Sequence, residues 1–128
     1  MTFDQLVTFL PVHDLDRAVL FYEDVLGLEL VLNQGDCRIY RVAGEAFIGV
    51  CTRRTPGSSD GVMVTLVTDD VDGWHTRLLD ANVQCDHPPS RNDAYDLHHA
   101  FYRDPDGHII EVQTFLDPTW SNALASER

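Results

Sequence analysis

His98 and Glu111 are the side chains whose types and spacing best fit acid–base chemistry. They flank DPDG (104–107), a tight-turn motif between two runs of strand-type residues, HHAFYR and HIIEVQTF. A four-residue loop pairs Arg103 with His108, which sets Ala100 opposite Glu111 and His98 opposite Gln113. Alternation then puts His98, Ala100, Tyr102, Ile109, Glu111 and Gln113 on one face, with His98 a diagonal neighbour of Glu111. An imidazole beside a carboxylate can pass a proton, the carboxylate favouring the imidazolium. The same pair can supply two ligands of a metal site. His99 falls on the opposite face from His98, so the two adjacent imidazoles do not share one site. Cys51 is a possible nucleophile, but nothing in the sequence shows an activating partner.

The remaining candidates are binding residues. Phe9, Arg38, Tyr40, Phe47, Met63, Thr65 and Tyr102 lie on strands where they surround a cavity if the sheets curl, and Trp120, beyond the last strand, is placed to close over it. His13, His75, His87 and His108 read as solvated turn or helix-surface residues. Trp74 sits on an apolar helical stripe and reads as core or as a dimer contact. Cys37, Cys51 and Cys85 are odd in number and form no CxxC, which predicts buried thiols without a disulfide framework or zinc ribbon.

The elements that must hold these residues follow a repeated pattern. Leu6–Val12 is a buried strand; Asp14 caps a helix over 14–26, whose stripe is Leu15, Ala18, Val19, Tyr22, Val25 and Leu26, and Gly27 ends it. Three strands, LELVLN, CRIYRV and AFIGVCT, follow, separated by turns at 33–36 and 43–45. The turn-rich segment 53–61 is a connector. The order then restarts: strand VMVTLVT, an N-cap at Asp70 or Asp72, a helix carrying Val71, Trp74, Leu78 and Ala81, a short strand at 83–85, a loop through Pro88-Pro89-Ser90, and the final hairpin. An offset of 56 residues lays Leu10 on Leu66 and Asp14 on Asp70. The chain is thus expected to be α+β, two tandem βαβββ modules (5–52 and 62–116), with a tail over 117–128 that is a short docked helix or frayed.

Composition bounds the partners. In 128 residues, 21 Asp+Glu stand against 9 Lys+Arg, a net charge of −12. Nucleic acid and anionic membrane both require clustered Lys/Arg, so neither is expected, whereas a cationic or neutral small molecule fits. No apolar run approaches the ~20 residues needed to span a bilayer, and MTFDQ lacks the basic start of a secretory signal, so a cytoplasmic location is expected.

The paired βαβββ units, the string VHDLDRAVLFYEDVLGLEL at 12–30 and FYRDPDGHIIEV at 101–112 together resemble the vicinal oxygen chelate superfamily, the glyoxalase, bleomycin-resistance and extradiol dioxygenase group. The resemblance covers about residues 5–116 and implies that the two modules build curved mixed sheets forming a cleft. It implies that each half contributes inward side chains from its first and last strands to a divalent metal site. Those positions fall here at Val7, Gly49, Met63 and Glu111, of which only Glu111 can ligate. Catalytic zinc takes at least three protein ligands and non-haem iron two His and a carboxylate. The resemblance therefore implies, first, a metal-independent binder without cofactor, like the bleomycin-resistance proteins, holding a cationic or aromatic antibiotic-like ligand. His98, Glu111 and Gln113 join the binding set, and the chain is expected to be a homodimer. The alternative is a lyase, isomerase or dioxygenase with a displaced divalent-metal site on Glu111 and His98, and a third reading is a metal-free acid–base enzyme using that pair.

Overall fold

The computed structural model describes residues 1–57 and 62–126; positions 58–61 of the expected connector lie outside them. The chain divides into two compact units, residues 1–60 with 104–108, and residues 61–103 with 109–128.

In the first unit, the strand-type run LVTFLP makes β1 (Leu6–Pro11). The Asp14 carboxylate then accepts the N–H groups of Asp16 and Arg17, two donors a helix start leaves free, and opens α1 (Leu15–Val19). The helix expected over 14–26 is present, but it continues as a π-helical stretch, Leu20–Val25. Its wider turns suit the spacing of the buried residues Ala18, Phe21, Tyr22 and Leu26, which mixes i+4 with i+5. Leu26 N–H accordingly reaches the Phe21 carbonyl, and Gly27, at φ 71°, releases the chain. Strands β2 (Glu29–Asn33), β3 (Cys37–Ala43) and β4 (Ala46–Cys51) complete an open sheet of order β1-β4-β3-β2, with β1 and β4 parallel and the other pairs antiparallel.

Cys37 lies opposite Cys51 in the β3–β4 hairpin, and the two form a disulfide. The expectation of buried thiols fails for these two, which are bonded, while Cys85 is a free thiol but only partly buried. Thr52 N–H bonds the Asp36 carbonyl, which makes 37/51 a non-hydrogen-bonded pair, the geometry that brings facing side chains closest.

The second unit repeats the plan. It holds β5 (Met63–Val67), α2 (Val71–Asp80) capped by Asp70, β6 (Gln84–Asn92), β7 (Leu97–Arg103), β8 (Ile109–Phe115) and α3 (Pro118–Ser126). Its sheet order, β5-β8-β7-β6, with β5 parallel to β8, matches that of the first, so the architecture is α+β with two mixed βαβββ sheets as expected. One boundary differs. The Pro88-Pro89-Ser90 loop is part of β6, which is an edge strand whose register shifts between Cys85 and Ser90; an edge tolerates prolines because one side of it has no ladder to donate to. No helix of the described residues is long and apolar enough to cross a membrane.

Residues 104–108 cluster with the first unit because of their polar side chains. Asp104 accepts the Tyr22 hydroxyl at 2.7 Å and the N–H groups of Asp106 and His108. Asp106 accepts from His13 N–H and Arg17, and His108 Nε2 donates to the Pro11 carbonyl at 2.8 Å. His108, expected to be solvated, is buried with a carbonyl partner. The DPDG motif is thus a hydrogen-bonded part of the first unit as well as a turn.

Candidate functional site

The final hairpin differs from expectation by one residue. Arg103 pairs with Ile109, not His108, because Asp104 N–H bonds the His108 carbonyl and Gly107, at φ 89°, closes a three-residue loop. A one-residue slip in β pairing turns a strand over. Glu111 therefore lies between Thr65 and Phe101, and it is His99, not His98, that stands beside it.

The resulting cluster is compact. Glu111 is buried, yet all its donors are at hand: Thr65 Oγ1 reaches Oε1 at 2.7 Å and His99 Nδ1 reaches Oε2 at 2.6 Å. With its amide turned to donate, Gln113 spans both oxygens at 2.8 and 3.2 Å. A buried carboxylate is tolerable only with such partners. Facing it, His99 carries its proton on Nδ1, leaving Nε2 as an acceptor with no protein partner among the described residues. Phe101 packs edge-on against the imidazole, ring centroids 4.7 Å apart. Such a dyad orients an imidazole, the arrangement of a general base.

Several expected site residues lie on the other face. His98 pairs with Asp72 at the start of α2, 3.1 Å away, so a site built on Glu111 and His98 does not exist as drawn. Tyr102 is fully buried and bonds His75 Nδ1 at 2.7 Å; burial pushes its hydroxyl up to about 12, and His75 is not simply solvated. In the first unit Tyr40 is likewise a core residue, turned to Glu23 of the π-helical stretch and raised to about 12 by burial first and that carboxylate second. Arg38 shares its face by alternation and donates to the Gly35 carbonyl. Both lie on the face opposite Phe47 and Gly49. Met63 and Thr65 are exposed, Gln113 belongs to the cluster, and Trp120 stacks on Phe115 at 4.4 Å.

The opposite face of the first sheet carries Val7, Phe9, Phe47, Gly49 and Cys51. Phe9 lies directly against Gly49: a Cβ there would meet the ring at 2.5 Å. Phe47 is buried beneath the Arg41 guanidinium. A cavity of about 550 Å³ adjoins them, lined by Phe9, Leu10, Pro11, Cys51, Arg53 and Arg54. Only Phe9 of this lining was anticipated. Arg53 and Arg54 had been assigned to a connector, and their signal, two adjacent cations in a strongly acidic chain, carries no position by itself.

The donor set does not fit a resident divalent metal on the glyoxalase-type positions. Val7, Gly49 and Met63 have no ligating atom, Phe9 fills the space over Gly49, and Glu111 is committed to its donors. Among the described residues one group of three ligand-type side chains converges, Asp36, Cys37 and Cys51, and there the sulfurs are bonded to each other with a guanidinium against both.

Comparison with known proteins agrees with this geometry of paired units. The family model described as Glyoxalase/Bleomycin resistance protein/Dioxygenase superfamily matches residues 2–112. The chain is 25% identical over 121 residues to the uncharacterized protein YraH of Bacillus subtilis, covering 84% of this chain and 94% of that one. It is 27% identical over 109 residues to the metallothiol transferase FosB of Shouchella clausii, covering 80% and 74%. Among solved structures, a glyoxalase/bleomycin resistance protein/dioxygenase from Alicyclobacillus acidocaldarius superposes with TM-score 0.74 at 18% identity over 91% and 94% of the chains. Lactoylglutathione lyase from Agrobacterium tumefaciens does so with TM-score 0.66 at 24% identity over 87% and 92%. By the extent of the family match and the repeated βαβββ sheets, the chain belongs to the glyoxalase/bleomycin resistance protein/dioxygenase superfamily.

Proposed function

We propose that this member of the superfamily binds a small organic molecule without a resident metal, on the face of the second sheet that carries Met63, Thr65 and His99. The observation that supports it is the saturation of Glu111, the one carboxylate on the family's metal positions, by Thr65, His99 and Gln113. A carboxylate so held offers a metal no free lone pair in the geometry it would need. Thr65 and Met63 are exposed beside it, and His99 Nε2 presents a hydrogen-bond acceptor next to an aromatic edge. These suit an aromatic ligand with a donor group, and the net charge of −12 favours a cationic one, which such a protein sequesters unchanged. The apolar edge strand β2, with Leu30, Val31 and Leu32 exposed, supports the further reading that the chain is a homodimer.

A second reading has its own observation. The 2.6 Å His99–Glu111 contact with Nε2 unpartnered is the arrangement of a metal-free acid–base pair. The first experiment is a thermal-shift screen of EDTA-treated protein against aromatic cations and their neutral and anionic analogues, with and without zinc, nickel, manganese and ferrous iron. Ligand-dependent stabilisation in EDTA that is weakened in Thr65→Val is the expected result. Tight stoichiometric metal binding that is lost in Glu111→Ala would overturn it. Product formation from a hit, lost in His99→Asn, selects the acid–base reading over sequestration.

A further inference from the structure

Cys51 lines the cavity of the first unit and Cys37 does not. Arg53 spans the disulfide between them, its Nε 3.3 Å from Cys51 Sγ and its Nη2 3.1 Å from Cys37 Sγ. A guanidinium at that distance favours a thiolate over a thiol and so makes either sulfur a better leaving group. The same cation opposes a metal ion between Asp36 and the two sulfurs. Arg54, on the cavity wall, has no acidic partner among the described residues, whereas Arg53 also reaches Asp36 at 3.5 Å. In a chain of net charge −12 the cavity is thus locally cationic. The bond joins strands already held by the β3–β4 ladder, so opening it removes no connection on which the sheet order depends.

We infer that Cys51 is a thiol-exchange site for a small thiol bearing an acidic group, which enters this cavity and forms a mixed disulfide there. The incoming thiolate attacks Cys51 Sγ, the Cys51–Cys37 bond breaks, and its electron pair leaves on Cys37 Sγ beside Arg53. A second molecule of the thiol attacks the mixed disulfide, releasing Cys51 as thiolate and the small thiol as its own disulfide. Two small thiols are oxidised and one protein disulfide is reduced. Arg54 binds the acidic group. This assignment rests on the cavity alone and is independent of the Glu111 cluster.

Two measurements on the folded chain test it, both in a Cys85→Ser background. First, the disulfide-bonded protein is incubated with glutathione without denaturant and its free thiols are counted; two thiols are expected, and a bond that opens only after unfolding would overturn the site. Second, the Cys37→Ser and Cys51→Ser variants are treated with glutathione disulfide, which is anionic, bis(2-hydroxyethyl) disulfide, which is neutral, and cystamine, which is cationic, and the adducts are followed by intact mass. Cys51 in the Cys37→Ser variant is expected to react in that order, with about a tenfold spread from anion to cation that Arg54→Ala collapses. Equal rates for the three reagents, no effect of Arg54→Ala, or equally fast reaction of Cys37 in the Cys51→Ser variant would each refute it.

Discussion

His99 Nδ1 lies 2.6 Å from Glu111 Oε2, and His98, its neighbour in sequence, points to the opposite face of the sheet toward Asp72. The contact ties β7 to β8 within the ladder that sets Phe101 opposite Glu111. It makes Glu111 an acceptor whose partners are supplied by the fold, and it leaves Nε2 of His99 as the polar atom a ligand meets.

Removing Glu111 should therefore cost far more than removing His98. Glu111→Ala leaves Thr65, His99 and Gln113 without their acceptor in a mostly buried cluster, an expected loss of about 2–4 kcal/mol. His98→Ala removes an exposed pair with Asp72, an expected loss of under about 1 kcal/mol. Urea denaturation of the two variants measures both. A double-mutant cycle should show coupling of Glu111 to His99 and none to His98. Coupling to His98 would restore the other register.

Gly49 is required by the ring that covers it. In Gly49→Ala the new methyl meets Phe9 at 2.5 Å, so the ring must swing out, with an expected loss of about 1–3 kcal/mol. Phe9→Ala alone gives up the half-exposed ring's packing, and Gly49→Ala on that background should be close to neutral, since the obstruction is gone. Additive losses in the double variant would show that the Phe9 ring does not own that space.

The element order, the Asp14 N-cap and the repeat could be read from the chain because each is written locally, while the second cap was narrowed to Asp70 or Asp72. Asp14 and Asp70 precede apolar stripes, and strand-type runs sit between turn residues. The site was legible only as far as Glu111, because its partner depends on pairing register, which a single loop residue decides. A cue was present: Ala100, Tyr102, Ile110 and Val112 are all core side chains, and a register that groups Ala100 and Tyr102 with Glu111 mixes a carboxylate into them. Gly107, able to take positive φ, marks the shorter loop. The Cys37–Cys51 pairing was hidden by an irregularity in the hairpin: the turn sets Ala43 opposite Ala46, a register that would pair Cys37 with Thr52, and only the shift between Arg41 and Ala43 brings Cys37 opposite Cys51. Arg53 and Arg54 had no local signal, for their relation to Cys51 and Phe9 is tertiary.

Asp104 should be the most sensitive position of the DPDG turn. Its carboxylate accepts the Tyr22 hydroxyl and two backbone N–H groups from a buried position, so Asp104→Ala strands all three donors, with an expected loss of about 2–4 kcal/mol. Asp104→Asn retains an acceptor oxygen and should lose less. Thermal and urea unfolding rank the two, and equal losses would mean that the charge, not the acceptor geometry, holds the turn.

The buried tyrosines set an alkaline limit on stability. Burial is the first cause in each case: it raises Tyr40 and Tyr102 to about 12, and it raises Tyr22 well above its ordinary value with the Asp104 carboxylate adding to the effect. In the unfolded chain these phenols ionise near pH 10, while the folded protein keeps them neutral. Below pH ~10 both states hold the protons and these groups give no pH dependence. Above it the unfolded state binds fewer protons, so stability falls as pH rises, by about 1.4 kcal/mol per pH unit for each phenol, until the folded-state value is passed. In a Tyr95→Phe background, which removes the exposed fourth tyrosine, urea denaturation at intervals from about pH 8 to pH 11.5 should show a plateau and then this decline, with phenolate absorbance near 295 nm appearing only as the chain unfolds. Tyr22→Phe should lower stability at neutral pH by about 1–2 kcal/mol through the lost hydroxyl at Asp104, and reduce the alkaline slope by one proton. An unchanged slope in that variant, or phenolate absorbance near pH 10 from folded protein lacking Tyr95, would show that these hydroxyls titrate freely in the native state.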